Sequence, residues 1–287
     1  MGLFDDLKLE YKLGGVTQQL IFWNIGIFIV SIILFYNFKG ASFSYPDWLA
    51  LSPDPLIVLS HPWTLVTYAF LHSGFMHILF NMLMLNFSGM LFLTYFKEKQ
   101  LLGLYFLSAI FAGLVFCLSF FLLGYHSSIV GASAAIISIL MAATTYNPRM
   151  PIRLLLIGRI QLWHLTAVLL VLDLMYILVE NTGGHISHLA GAFFGFIYIV
   201  LLRRGIDLSK GVTVVTDWVM GLFRPAKKTP FKKVHRNSNR RMVPETPKSS
   251  GKDPKQQQID EILDKISKSG YDSLTQQEKD FLFNASK

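Results

Sequence analysis

From Gln100 to Pro148 the chain reads QLLGLYFLSAIFAGLVFCLSFFLLGYHSSIVGASAAIISILMAATTYNP, a run without a single Asp, Glu, Lys or Arg. A bilayer core of about 30 Å is crossed by about 20 apolar residues, so a run this long must hold two spans. Gly124-Tyr125-His126-Ser127-Ser128 divides it into a span over about 101–123 and a shorter one over about 131–146, which Asn147-Pro148 ends.

Further spans lie on either side. Towards the N-terminus, a span over about 72–96 stops at Lys97-Glu98-Lys99, and another covers Leu20 to Phe38. The latter runs into Tyr36-Asn37-Phe38-Lys39, not the small residues of a cleavage site, so it reads as an anchor and not a signal peptide. The loop over about 39–64, with four prolines and several aromatic residues, suits the membrane interface. Towards the C-terminus, spans over about 162–179 and 186–202 follow, the last ending at Arg203-Arg204. The basic clusters Lys8/Lys12, Lys97/Lys99, Arg149/Arg153/Arg159 and Arg203/Arg204 then all fall on one side of six spans. The positive-inside rule makes that side cytoplasmic, with both termini inside and the loops 39–64, 124–130 and 181–185 outside. The expected fold is all-α: a polytopic six-transmembrane-helix bundle of the cell membrane over residues 20–204, preceded by a cytoplasmic segment over 1–19.

Composition agrees with that class. Hydrophobic residues make up 52% of the chain and charged residues 15%, and the mean hydropathy is +0.45. The net charge of +8 does not indicate a nucleic-acid partner, because the segment 224–287 alone holds 15 Lys/Arg against 8 Asp/Glu. Basic residues placed just after the last span face the lipid surface instead. Residues 205–258 read as a basic, largely disordered linker. Within 259–287, Ile259, Ile262, Leu263 and Ile266 recur at helical spacing, and Thr275 with Glu278 forms a capping box ahead of Phe281. This is a small helical hairpin, suited to a cytoplasmic partner. Cys117 is the sole cysteine, so no intrachain disulfide is possible.

Polar residues at membrane depth are costly unless they pair or line a cavity, and here they recur on three spans near the expected outer end. Ser133 opens the fourth span and His188 lies in the first turns of the sixth. A hydroxyl needs a base within hydrogen-bond reach to become a nucleophile, and His188 can supply one. His77 and Asn81, four residues apart, share a helix face and are candidate oxyanion donors beside the Ser133 backbone N–H. Gly131 removes a side chain just before Ser133, and Gly191 with Gly195 forms a G-x-x-x-G step that lets a neighbouring helix approach the one carrying His188.

The run His72-Ser73-Gly74-Phe75-Met76-His77-Ile78-Leu79-Phe80-Asn81, then Gly131-Ala132-Ser133, then His188-Leu189-Ala190-Gly191 with Gly195, resembles the rhomboid family of intramembrane serine proteases over about residues 20–204. The resemblance implies a Ser133–His188 dyad without an Asp, an oxyanion hole including His77 and Asn81, no cofactor, and cleavage of single-pass membrane proteins near or within their transmembrane segment. It also implies a structural role for His72 and matches Trp63 to the Trp of a Trp-Arg loop motif. Three positions depart from the pattern: Thr64 stands where that motif has Arg, Ala134 where Gly often follows the nucleophile, and Ile137 where some members place a Tyr over the catalytic His.

Other readings compete with this one. The alternative is a catalytically silent rhomboid-like scaffold or quality-control protein. A metal site at His72/His77 or His185/His188 lacks the H-E-x-x-H spacing, and no metal is expected. Asp173 reads as a helix-packing hydrogen bonder, as do His61, His126, His164 and His185, while Ser31, Ser88, Ser108 and Ser138 read as bonding their own backbone. A channel or transporter would require inverted repeats, which the sequence lacks.

Overall fold

The computed structural model describes residues 2–124, 127–154, 157–223 and 254–285. His126 and the basic stretch 224–253 lie outside them. The chain forms two compact units, Met1–Ala226 and Lys227–Lys287.

The first unit is mostly helical. It runs α1 (Leu3–Leu13), α2 (Gly15–Phe35), β1 (Tyr36–Asn37), β2 (Ser42–Phe43), α3 (Pro55–Ser60), α4 (Thr64–Thr67), a 3-10 turn (Tyr68–Phe70), α5 (Phe75–Leu93), α6 (Glu98–Leu123), α7 (Ser133–Tyr146), β3 (Pro151–Leu154), β4 (Gly158–Gln161), α8 (Leu162–Tyr176), α9 (Thr182–Arg203) and α10 (Ser209–Phe223). Among the described residues, α2, α5, α6 and α9 are long and apolar enough to cross a membrane. The helices at the expected fourth and fifth spans, α7 and α8, have 14 and 15 residues, hence lengths of about 21 and 22 Å. Gly131, at φ +138°, prevents α7 from starting earlier, and Asn147-Pro148 ends it.

α7 is the buried centre of the unit, packed against α5, α6, α8 and α9. A Cβ on Gly191 would overlap the Ala134 carbonyl, and one on Gly195 the Ser138 carbonyl, so α9 rests backbone to backbone on α7. The loop before α5 is tied to this centre. Leu51 and Ile129 exchange backbone hydrogen bonds at 3.2 and 3.0 Å, and the Gly131 N–H donates to the Tyr68 carbonyl at 2.9 Å. The Tyr68 hydroxyl donates to the Ala109 carbonyl at 2.8 Å, and that of Tyr105 to the Ala69 carbonyl at 2.9 Å, both fully inside the core.

Several expectations need correction. The fold is not purely helical: β1 pairs antiparallel with β2, and β3 with β4, placing Arg153 opposite Arg159 in what was read as plain loop. Gly158, the first residue of β4, is at φ +87°. Within the expected N-terminal segment Leu3–Leu13 form α1, and α2 starts at Gly15, whose φ of +68° separates it from α1, with Thr17 buried against Gly89. His72 precedes its expected helix, since Gly74 is extended and α5 begins only at Phe75. The stretch from 205 is not all linker, since α10 packs on α6. There the Asp207 carboxylate accepts from the Ser209 N–H at 3.0 Å, from Gln100 Nε2 at 3.1 Å and from the Tyr198 hydroxyl at 3.3 Å.

In the second unit, α11 (Pro254–Ser269) and α12 (Gln276–Ala285) flank a 3-10 turn (Tyr271–Ser273). The Thr275 N–H and hydroxyl donate to Glu278 Oε2 at 2.7 and 2.9 Å, and Lys265 Nζ donates to Glu278 Oε1 at 2.8 Å. The Lys265 ammonium, aided by the Thr275 donors, holds the Glu278 carboxyl down at about 2.

Candidate active site

Ser133 is the first residue of α7. Backbone N–H groups in a helix's first turn have no intrahelical partner, so the N–H of Ser133 is free of the helix ladder and lies at the positive end of its dipole. His188 is in the second turn of α9, the helix that Gly191 and Gly195 bring against α7. The close approach lets a short side chain meet a ring: Ser133 Oγ lies 2.6 Å from His188 Nε2.

His77 and Asn81 share a face of α5 and line, with Ser73, Ser133, Asn181 and His188, a polar cavity of about 390 Å³. His77 Nδ1 lies 2.9 Å from the Ser73 hydroxyl and accepts from the Ser73 N–H at 3.3 Å. An accepting Nδ1 leaves the neutral ring's proton on Nε2. That edge faces Gly131: a Cβ there would stand 2.9 Å from His77 Nε2 and 3.5 Å from Ser133 Oγ. Asn81 Nδ2 donates one N–H to the His77 carbonyl at 2.7 Å, so its second N–H remains for a ligand in the cavity.

The supporting residues divide. His72 is fully buried, its ring 5.2 Å from that of His77 and its carbonyl accepting from the Tyr45 hydroxyl at 2.7 Å. Trp63 is half exposed, donates to the Trp48 carbonyl at 2.7 Å, and does not line the cavity. Thr64, where the resemblance has Arg, is buried and satisfied by the His61 carbonyl at 2.7 Å. Of the serines expected to bond their own helix, Ser108 donates to the Leu104 carbonyl at 2.6 Å. The Ser138 hydroxyl, by contrast, has no hydrogen-bond partner among the described residues.

The sequence reading gives Asp173 a helix-packing hydrogen bond and no catalytic role. It lies on α8, is buried, and its Oδ1 is 2.8 Å from Nδ1 of His188 and 2.7 Å from Nδ1 of His185. A hydrogen bond between helices was expected, but its partner was not: the carboxylate holds the same ring that contacts Ser133. The available signal was the rule that a carboxylate within an apolar span is functional by default. Asp173, His185 and His188 are also the one described group whose ligand atoms, all within 4.8 Å of one another, suit a metal ion. In this arrangement the two imidazoles already satisfy Oδ1.

Residues 59–205 match the model of the rhomboid domain family, and residues 249–287 match a family of unknown function (DUF6576). The chain is 31% identical over 159 residues to "Rhomboid-like protease 1" of Toxoplasma gondii, covering 53% of this chain and 51% of that protein. The chain thus spans about half the length of that curated relative.

Proposed function

The chain belongs to the rhomboid family, a multi-pass membrane protein, and on that premise we propose that it is an intramembrane serine endopeptidase acting on single-pass membrane proteins. The observation that carries the reading is the 2.6 Å contact between Ser133 Oγ and His188 Nε2, made by residues 55 apart on two different helices.

The reaction follows from the groups present. His188 Nε2 takes the proton as Ser133 Oγ attacks the scissile carbonyl, and the oxyanion collects hydrogen bonds from His77 Nε2–H, the free Asn81 N–H and the Ser133 backbone N–H. The imidazolium then returns its proton to the leaving amine. Water from the polar cavity, deprotonated by the same nitrogen, hydrolyses the acyl-enzyme. No metal or cofactor enters these steps.

The setting is a six-helix bundle in the cell membrane, with both termini cytoplasmic and the cavity open to the outer side. α7, about 21 Å long in a core of about 30 Å, would then begin below the outer surface, which places Ser133 at membrane depth. A substrate helix unwinding there would present its peptide bonds to the cavity. The 254–285 hairpin would serve a cytoplasmic partner.

Reconstituted with a model single-pass substrate, the intact chain should cleave, and Ser133→Ala or His188→Ala should each lower the rate by at least about 1,000-fold. Full activity in Ser133→Ala would refute the mechanism. A silent scaffold, the competing reading, would show no cleavage and no covalent labelling of Ser133 by a fluorophosphonate.

A further inference from the structure

We infer that Asp173 is a positioning residue for His188, itself fixed by His185, so that the working unit is a relay across α7, α9 and α8 and not a Ser-His pair alone. The inference rests on the protease reading. A carboxylate only accepts hydrogen bonds, so the 2.8 Å contact between Asp173 Oδ1 and His188 Nδ1 makes Nδ1 the donor and leaves Nε2 as the lone-pair acceptor facing Ser133. The same contact fixes the rotation of the ring, which its own χ2 torsion leaves broad.

The carboxylate is in turn immobilised. His185 Nδ1 donates to Oδ1 at 2.7 Å, the His185 ring lies edge-on to that of His188 at 5.8 Å, and Tyr176 stacks on His185 at 6.0 Å. Asp173 is 7% exposed, and a carboxylate in so apolar a helix is costly unless partnered. Simple helix pairing could be achieved by a neutral amide, whereas a carboxylate beside the base adds a charge that matters during the reaction. As the Ser133 Oγ–C bond forms and the Oγ–H bond breaks, the proton moves to Nε2, and the positive charge on the ring develops next to Asp173, which stays unprotonated.

The test uses the full-length chain in proteoliposomes, comparing the intact protein with Asp173→Asn, Asp173→Glu, His185→Phe and Ser133→Ala. Read-outs are the rate of fluorophosphonate labelling at Ser133, kcat and KM on a model single-pass substrate, and thermal unfolding. Asp173→Asn, which keeps the shape and loses the charge, should lower labelling and kcat by about 100-fold with KM within about twofold. Asp173→Glu should restore part of that loss. His185→Phe, which leaves Asp173 in place, should lower kcat by about threefold to tenfold, again without a change in KM. Labelling by Asp173→Asn at the intact rate, or a loss in every variant that merely follows a fall in unfolding temperature, would overturn the inference while leaving the protease reading standing. An intact chain that neither cleaves nor labels at Ser133 would overturn both.

Discussion

Gly131 shows how a single missing side chain sets the geometry of the site. Its φ of +138° is a conformation that side-chain-bearing L-residues rarely adopt, and a Cβ there would press on the His77 ring at 2.9 Å. Gly131→Ala should therefore act twice, straining the turn that launches α7 and displacing an oxyanion donor. The expected outcome is a loss of roughly 1–3 kcal/mol in stability and a further drop in fluorophosphonate labelling of about tenfold or more, in keeping with the loss of one oxyanion donor. Measuring both on one preparation separates the effects; labelling that falls only in proportion to the folded fraction would contradict the second. Residues at this scale were partly legible beforehand. Ser133, His188, His77 and Asn81 stood out because each is polar in an apolar stretch, and the structure gathers all four at one cavity. Asp173 stood out for the same reason, but nothing in its spacing from His188 reveals a contact, because the partners lie on helices joined by a loop of unspecified course.

At the scale of elements, α10 is the piece that linear reading left out. Its pattern from Ser209 to Phe223 is amphipathic but lies beside a strongly basic stretch, and composition assigned both to a linker. Packing settles the matter: a Cβ on Gly103 of α6 would collide with Ser209, so the two helices meet closely there. Asp207 joins α6, α9 and α10 through Gln100, Tyr198 and Ser209. Burial pushes the Asp207 carboxyl up, but the hydrogen bonds from Ser209, Gln100 and Tyr198 outweigh it and leave the group below its ordinary value. A depressed folded value means the carboxylate's contribution is full above the unfolded pKa and is lost as pH falls through the lower, folded one. Asp207→Ala should cost about 1 kcal/mol, as for a lost helix cap, and should speed amide exchange in α10 while sparing α7. Equal exchange in α10 of the two proteins at neutral pH would show that Asp207 does not hold it. The β3–β4 ribbon was equally unreadable, since four-residue strands carrying Arg153 and Arg159 show no alternation that separates them from a loop.

For the whole molecule, the charge pattern makes a claim that can be checked directly. Cys117 is buried, and replacing it with Ala gives a cysteine-free background. In sealed vesicles of known orientation, a membrane-impermeant maleimide should label Ser42→Cys from the outer side, and Arg153→Cys only after permeabilisation, since both positions are exposed. Labelling of both from the same side would overturn the proposed six-span arrangement. What the sequence alone determined was the class: apolar runs of membrane length, punctuated by charge, marked a multi-pass membrane protein and roughly located its long helices, and polar exceptions within them drew attention to residues that meet at one cavity. Helix starts shifted by a few residues where a glycine intervened, as at Gly15 and at Gly74 ahead of Phe75. Only the tertiary structure decided which residues meet, that α9 lies backbone to backbone on α7, and that Asp173 and His185 stand behind His188. The physical reason is that hydropathy and periodicity are local sums along the chain, whereas a hydrogen bond between helices depends on their rotation, depth and separation, and those are set by packing many residues at once.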